Sequence, residues 1–176
     1  MEKQLFISIV ERYYPWISCL EKAAFQIHDD VNQKYDHVLP YGFHLKMVAS
    51  FVSRYGYLVA ESEADILVLY GSAYLHDTIE DARMTYNDIV KFIDDFRVGS
   101  LVLPEEIKRK LEEQVPEIVY ALTNEKGRNR EERANETYYK GIRDTRFASF
   151  IKMCDRLANI QYTMMFVFAN RMLEVY

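Results

Sequence analysis

A chain of 176 residues, 49% hydrophobic and 28% charged, fits one ordinary globular domain, residues 1–176, with enough length to bury a real core. Its net charge of −5 argues against a nucleic-acid backbone as the main partner. No apolar run reaches 18 residues and no signal-peptide core follows Met1, so neither a membrane span nor a leader is expected. Cys19 and Cys154 lie far apart with no pairing pattern, which points to a reduced, cytoplasmic protein.

With 6 Gly and 4 Pro the chain has few turns and reads as helical throughout, an all-α fold in a single compact bundle. A first helix over residues 4–14 should stop before Pro15, because the residue preceding a proline disfavours the helical region. A second runs over 16–28, with Ile17, Leu20, Ala24 and Ile27 on one face. Residues 29–41 are polar and end in the loop Leu39-Pro40-Tyr41-Gly42, and His28 and His37 are expected on the surface or at helix caps. The next helix, 43–55, turns Val48, Phe51 and Val52 inward, and Gly56 can close it. Ser62-Glu63-Ala64-Asp65 resembles a capping box opening a helix to His76, with Ile66, Leu67, Leu69, Tyr70, Ala73 and Tyr74 on a broad apolar face. Thr85 is a good N-cap for a helix over 86–96, with Asp88 favouring its dipole. Residues 97–103 connect to a charged amphipathic helix from Pro104 to Leu122. The stretch 123–133 is partly basic, with a turn at Gly127, and a last long, apolar helix runs from 146 or 147 to 176.

The chemistry centres on Leu75-His76-Asp77-Thr78-Ile79-Glu80-Asp81. An adjacent His-Asp pair at the end of a buried helix can direct an imidazole and a carboxylate into one cavity, and Glu80 and Asp81 follow about one turn later. Mixed imidazole and carboxylate donors suit a divalent cation. His44 starts a helix, and Asp155 lies inside the apolar segment 150–160, where a carboxylate is expensive unless paired or metal-bound. A cation held by His44, His76, Asp77 and Asp155 would satisfy it. Phosphate charge would need basic partners, and Lys126, Arg128, Arg130, Arg133 and Lys152 are available. Lys152 sits one helical turn before Asp155 on the same face.

The order His44, His76-Asp77, Asp155 resembles the HD-domain metal-dependent phosphohydrolases. Pro40-Tyr41-x-x-His44, the block 75–81 and Lys152-x-x-Asp155-Arg156-Leu157-x-Asn159 are similar to the hydrolase domain of RelA/SpoT-type alarmone enzymes and of the small stand-alone alarmone hydrolases, over residues 23–165. The resemblance implies one Mn²⁺ held by His44, His76, Asp77 and Asp155. It implies that Glu80 and Asp81 position and activate the attacking water, and that Lys34, Lys152 and Asn159 contact the nucleotide. The chain departs from the family where an Arg-Lys pair reads Gln33-Lys34, where a Pro after the first His is Leu45, and where an Arg-Thr is Gln161-Tyr162. The first departure removes a guanidinium that would stack on guanine.

The expected activity is therefore a manganese-dependent 3′-pyrophosphohydrolase of guanosine alarmones, with a small nucleotide as partner. An HD phosphohydrolase for another nucleotide, or a non-catalytic nucleotide-binding domain, are the alternatives. The retained Glu80-Asp81 speaks against the last, since binding alone does not require that pair. Synthesis of alarmone is not expected from a chain ending at Tyr176.

Overall fold

The computed structural model describes residues 1–123, 129, 132 and 134–173, with side chains as far as 165. In chain order the elements are α1 (Lys3–Arg12), α2 (Tyr14–Asp30), β1 (Lys34–Tyr35), β2 (Leu39–Pro40), α3 (Gly42–Tyr55), a 3₁₀ turn (Gly56–Leu58) and α4 (Glu63–Leu75). They continue with α5 (Thr78–Asp81), α6 (Tyr86–Asp95), α7 (Glu105–Leu122), α8 (Glu136–Asp144) and α9 (Ala148–Leu173). The fold is all-α. Most of the basic stretch, residues 124–128, 130, 131 and 133, and residues 174–176 lie outside the described residues. Among those described, no helix is long and apolar enough to cross a membrane.

Helix α4 is the axis of the bundle. Every residue from Ala64 to Leu75 is buried. The sequence predicts one broad apolar face; the structure instead buries the helix all round, because α1, α2, α3, α7 and α9 pack against it. Gly71 is needed on this helix for close approach, since a Cβ there would meet Val115 Cγ2 at 3.0 Å. An axis buried on all sides delivers its C-terminal residue, His76, to the middle of the molecule.

The predicted box at the start of α4 forms and extends into a tertiary node. Ser62 Oγ accepts from Asp65 N at 3.2 Å, and Asp65 Oδ2 accepts from Ser62 N at 3.1 Å and Glu61 N at 3.0 Å. Asp65 is 1% exposed and also meets Lys110 Nζ of α7 at 3.6 Å and Arg146 Nη2, ahead of α9, at 3.2 Å. Replacing Asp65 with alanine removes the cap and leaves both cations without this carboxylate. Arg146 is half-exposed, so its share is small, and a loss of about 2–4 kcal/mol is expected. The check is a lower urea midpoint at an unchanged slope.

Local departures from the sequence reading have identifiable causes. The break between the first helices falls at Tyr13, and Pro15 sits in the first turn of α2, where its missing N–H costs nothing. Gly56 is not a left-handed cap; its φ is −57° and the chain continues into the 3₁₀ turn. The glycine makes room instead, for a Cβ would lie 2.8 Å from the Phe6 ring. The polar stretch after α2 contains a two-residue antiparallel pair, Lys34 opposite Pro40 and Tyr35 opposite Leu39. Asn32, Asp36 and His37 take positive φ around it, and these residue types tolerate that region best. Helix α8 was not foreseen, although Asn135 caps it by accepting from Tyr138 N at 3.1 Å. Thr85 behaves as predicted and completes a full box with Asp88. Cys19 and Cys154 are both free thiols.

Candidate metal centre

Three elements converge at the C-terminal end of α4. His76 is its last turn's extension, Asp77 opens the single turn α5, and His44 lies in the first turn of α3. Local hydrogen bonds fix the chain there. Thr78 Oγ1 donates to the Leu75 carbonyl at 2.7 Å, and Asp81 N donates to the Asp77 carbonyl at 2.8 Å. His76 Nδ1 donates to the Ala73 carbonyl at 2.9 Å, which sets the tautomer and turns the Nε2 lone pair into the cavity. Both imidazoles are 2% exposed.

Their donor atoms meet. His44 Nε2 and His76 Nε2 are 3.3 Å apart, Asp77 Oδ2 is 2.9 Å from His76 Nε2 and 3.5 Å from His44 Nε2. Donors about 2.0–2.2 Å from one ion, at roughly right to tetrahedral angles, stand about 3–3.5 Å from one another. The three atoms therefore fit a single divalent cation without rearrangement, and they form a grouped donor set. Asp155 from α9 stands beside this set rather than within it, with Oδ1 3.4 Å from His44 Nε2. Its other contacts are Lys152 Nζ at 3.2 Å and Asn159 Nδ2 at 2.7 Å.

The chain matches no family model, and no curated protein or solved structure is significantly similar to it.

The charged groups of the centre shift one another's ionisation. Burial opposes charge on His44, but Asp155 and Asp77 together outweigh it and raise the imidazole to about 9. Burial likewise opposes charge on the acids. His76 and His44 nevertheless hold Asp77 well below the usual carboxylate range, and His44, His76 and Lys152 hold Asp155 at about 2. Burial pushes Asp81 upward, aided by Asp77 and Glu80. Lys152 stays charged, since Asp155 and Tyr138 outweigh its burial.

A pH dependence follows. Charged His44 stabilises the metal-free fold fully below about pH 6.5, and that contribution is lost as pH rises through about 9. Asp155 contributes above the usual carboxylate range and loses its contribution only as pH falls towards about 2. A cation must displace the His44 proton, so Mn²⁺ should bind more tightly as pH rises towards about 9. The Mn²⁺-induced rise in Tm is expected to be larger near about pH 8.5 than near about pH 6. An increment equal at both would place the ion elsewhere.

The remaining sequence-predicted residues are distributed unevenly. Glu80 is exposed on α5 beside the half-buried Asp81. Lys152 is one turn from Asp155, as predicted, and with Tyr139, Arg143 and Arg156 it lines an open groove adjoining the centre. Asn159 is occupied within the protein: its amide donates to Asp155, and its Oδ1 accepts from Tyr35 OH at 2.9 Å. It orients Asp155. Lys34 is exposed on β1 next to Tyr35, whose ring stacks on His44 at 4.9 Å.

Three residues escaped the sequence reading. Tyr35 covers His44 from outside, and Tyr41 reaches the acids through its hydroxyl. His28 is the third, and it corrects an expectation: it is fully buried, not on the surface or at a cap. Burial lowers it to about 4, its ring stacks on Tyr41 at 4.3 Å, and neither ring nitrogen has a hydrogen-bond partner among the described residues. The available signal was spacing, since Leu20, Ala24 and His28 fall four apart on one helix face.

Proposed function

We propose that this protein is a divalent-metal-dependent phosphohydrolase of small nucleotides, acting on the 3′-pyrophosphate of guanosine penta- or tetraphosphate. The observation that carries the reading is the close grouping of His44 Nε2, His76 Nε2 and Asp77 Oδ2, with a second carboxylate, Asp81, joined to Asp77 through one phenol. The ion expected is Mn²⁺, one per chain, held by His44, His76 and Asp77 with Asp155 adjoining. When bound, a divalent ion draws charge from a phosphoryl oxygen and makes nearby water more acidic. The chain's own groups do the rest. Asp81 orients the attacking water, and Glu80, beside it at the solvent edge, accepts its proton. Lys152 offsets charge on the phosphoryl group next to Asp155, and Arg143 and Arg156 in the groove suit a further anionic end of the substrate. The water oxygen bonds to the phosphorus carried on the ribose 3′-oxygen as that P–O bond breaks. Pyrophosphate departs with the water oxygen, and the ribose 3′-oxygen takes up a proton to become a hydroxyl.

The guanosine alarmone rests on the similarity of the three sequence blocks to that family of hydrolases. A second reading, a phosphohydrolase for another nucleotide, is favoured by the base side. Tyr162, where the family has Thr, donates to Asp36 Oδ2 at 2.7 Å and ties the hairpin to α9, while Gln33 supplies no guanidinium. Both readings place the protein in the cytoplasm. The deciding experiment presents Mn²⁺-loaded protein with guanosine tetraphosphate, its adenosine counterpart and a nucleoside monophosphate, and identifies each product. Release of pyrophosphate from the guanosine compound is expected. Cleavage of the monophosphate alone would give the second reading, and no turnover at all would leave a binding domain.

A further inference from the structure

Tyr41 joins the parts of the centre that the sequence treats as separate. Its side chain is buried, and its hydroxyl lies 2.6 Å from Asp77 Oδ2 and 2.6 Å from Asp81 Oδ2. A phenol carries one proton, so it can donate to only one of these carboxylates at a time.

The rest of the residue is held firmly. The Tyr41 carbonyl accepts from His44 N at 2.9 Å and Leu45 N at 3.3 Å, so the same residue starts the helix that presents His44. The ring is clamped between His28, stacked at 4.3 Å, and Tyr35, edge-on at 6.3 Å. What can move is the hydroxyl proton.

Asp77 Oδ2 is also the oxygen that faces both imidazole nitrogens. When that oxygen gives a lone pair to a cation, its attraction for the phenol proton falls, while Asp81 keeps its own. We propose that Tyr41 is a positioning residue that couples occupancy of the metal site to Asp81, donating to Asp77 when the site is empty and to Asp81 when it is filled. A filled site then holds one Asp81 oxygen and leaves the other directed at water. This rests on the metal-centre reading, and no covalent bond changes in it.

The test uses the full chain, Zn²⁺ as a diamagnetic probe, and the variants Tyr41→Phe and Asp81→Asn. With 3-fluorotyrosine incorporated, the resonance missing from Tyr41→Phe identifies Tyr41. It is expected to shift when Zn²⁺ is added to the otherwise unchanged protein, and to shift far less in Asp81→Asn, where the acceptor carboxylate is gone. Tyr41→Phe loses the empty-site bond to Asp77 and the filled-site bond to Asp81 together, so it should still bind Zn²⁺. In the Mn²⁺-loaded enzyme it should lower kcat while leaving KM near its original value. A resonance indifferent to Zn²⁺ in a protein that binds it, or one that shifts as much in Asp81→Asn as in the parent, overturns the coupling and leaves the metal centre standing. Failure of the parent protein to bind Zn²⁺ or Mn²⁺ overturns the metal centre and the coupling together.

Discussion

Replacing Asp77 with alanine is expected to empty the metal centre and abolish hydrolysis. Asp77 Oδ2 is the only carboxylate oxygen among the described residues grouped with both imidazole nitrogens. Without it an ion would face two neutral nitrogens, with Asp155 already engaged by Lys152 and Asn159. Lewis-acid help is worth several kcal/mol, and each 1.36 kcal/mol is a factor of ten, so turnover should fall by about 10³-fold or more. Metal analysis of the purified variant should find well under one ion per chain. Full occupancy would defeat the assignment of this site, and two tightly held ions in the parent protein would defeat the expectation of one.

The second large effect is expected from Glu80→Gln. Glu80 sits on α5 at the solvent edge, outside the three-donor set, so its replacement should leave metal content and helicity unchanged. Glutamine keeps the size of the side chain but cannot take a proton. Loss of a general base typically costs about 10²–10⁴-fold, and kcat should drop within that range. Near-normal turnover with metal bound would transfer the role to Asp81, whose carboxyl burial raises above the usual range.

Much of the centre was legible because it lies in one short block. Periodicity places 66–75 on a buried helix, and a helix end puts consecutive residues into one cavity, so His76 and Asp77 follow from local rules. The capping boxes at Ser62 and Thr85 are equally local, and both form. What failed depends on neighbours far along the chain. Periodicity gives α4 a face, but whether its other side is covered depends on α3, α7 and α9. His28 follows the same pattern: a polar residue at a core position is assigned by type to the surface, and only the stack with Tyr41 explains its burial. The bond from the Asn159 amide to Asp155 is local, one helical turn away, but the apolar pattern of the helix does not signal it. Helix α8 lies in a polar, charged stretch whose apolar face is sharp but narrow, with Tyr138 and Ile142 buried, and a single Asn cap was its other cue.

The all-round burial of α4 bears on how an ion could ever enter or leave. Segments exchange with solvent in proportion to how cheaply they open, and a helix enclosed by five others opens only when the whole domain does. His76, fastened to the end of that helix, is the fixed jaw of the centre. The outer jaw is lighter: the exposed turn around Asp36, His37 and Val38 carries Tyr35 over His44 and is tied to α9 by two tyrosine hydroxyls. Breaking those two hydrogen bonds uncovers His44 without disturbing α4. For an ion bound there, exchange is expected to depend on opening of the hairpin rather than on unfolding of the whole domain.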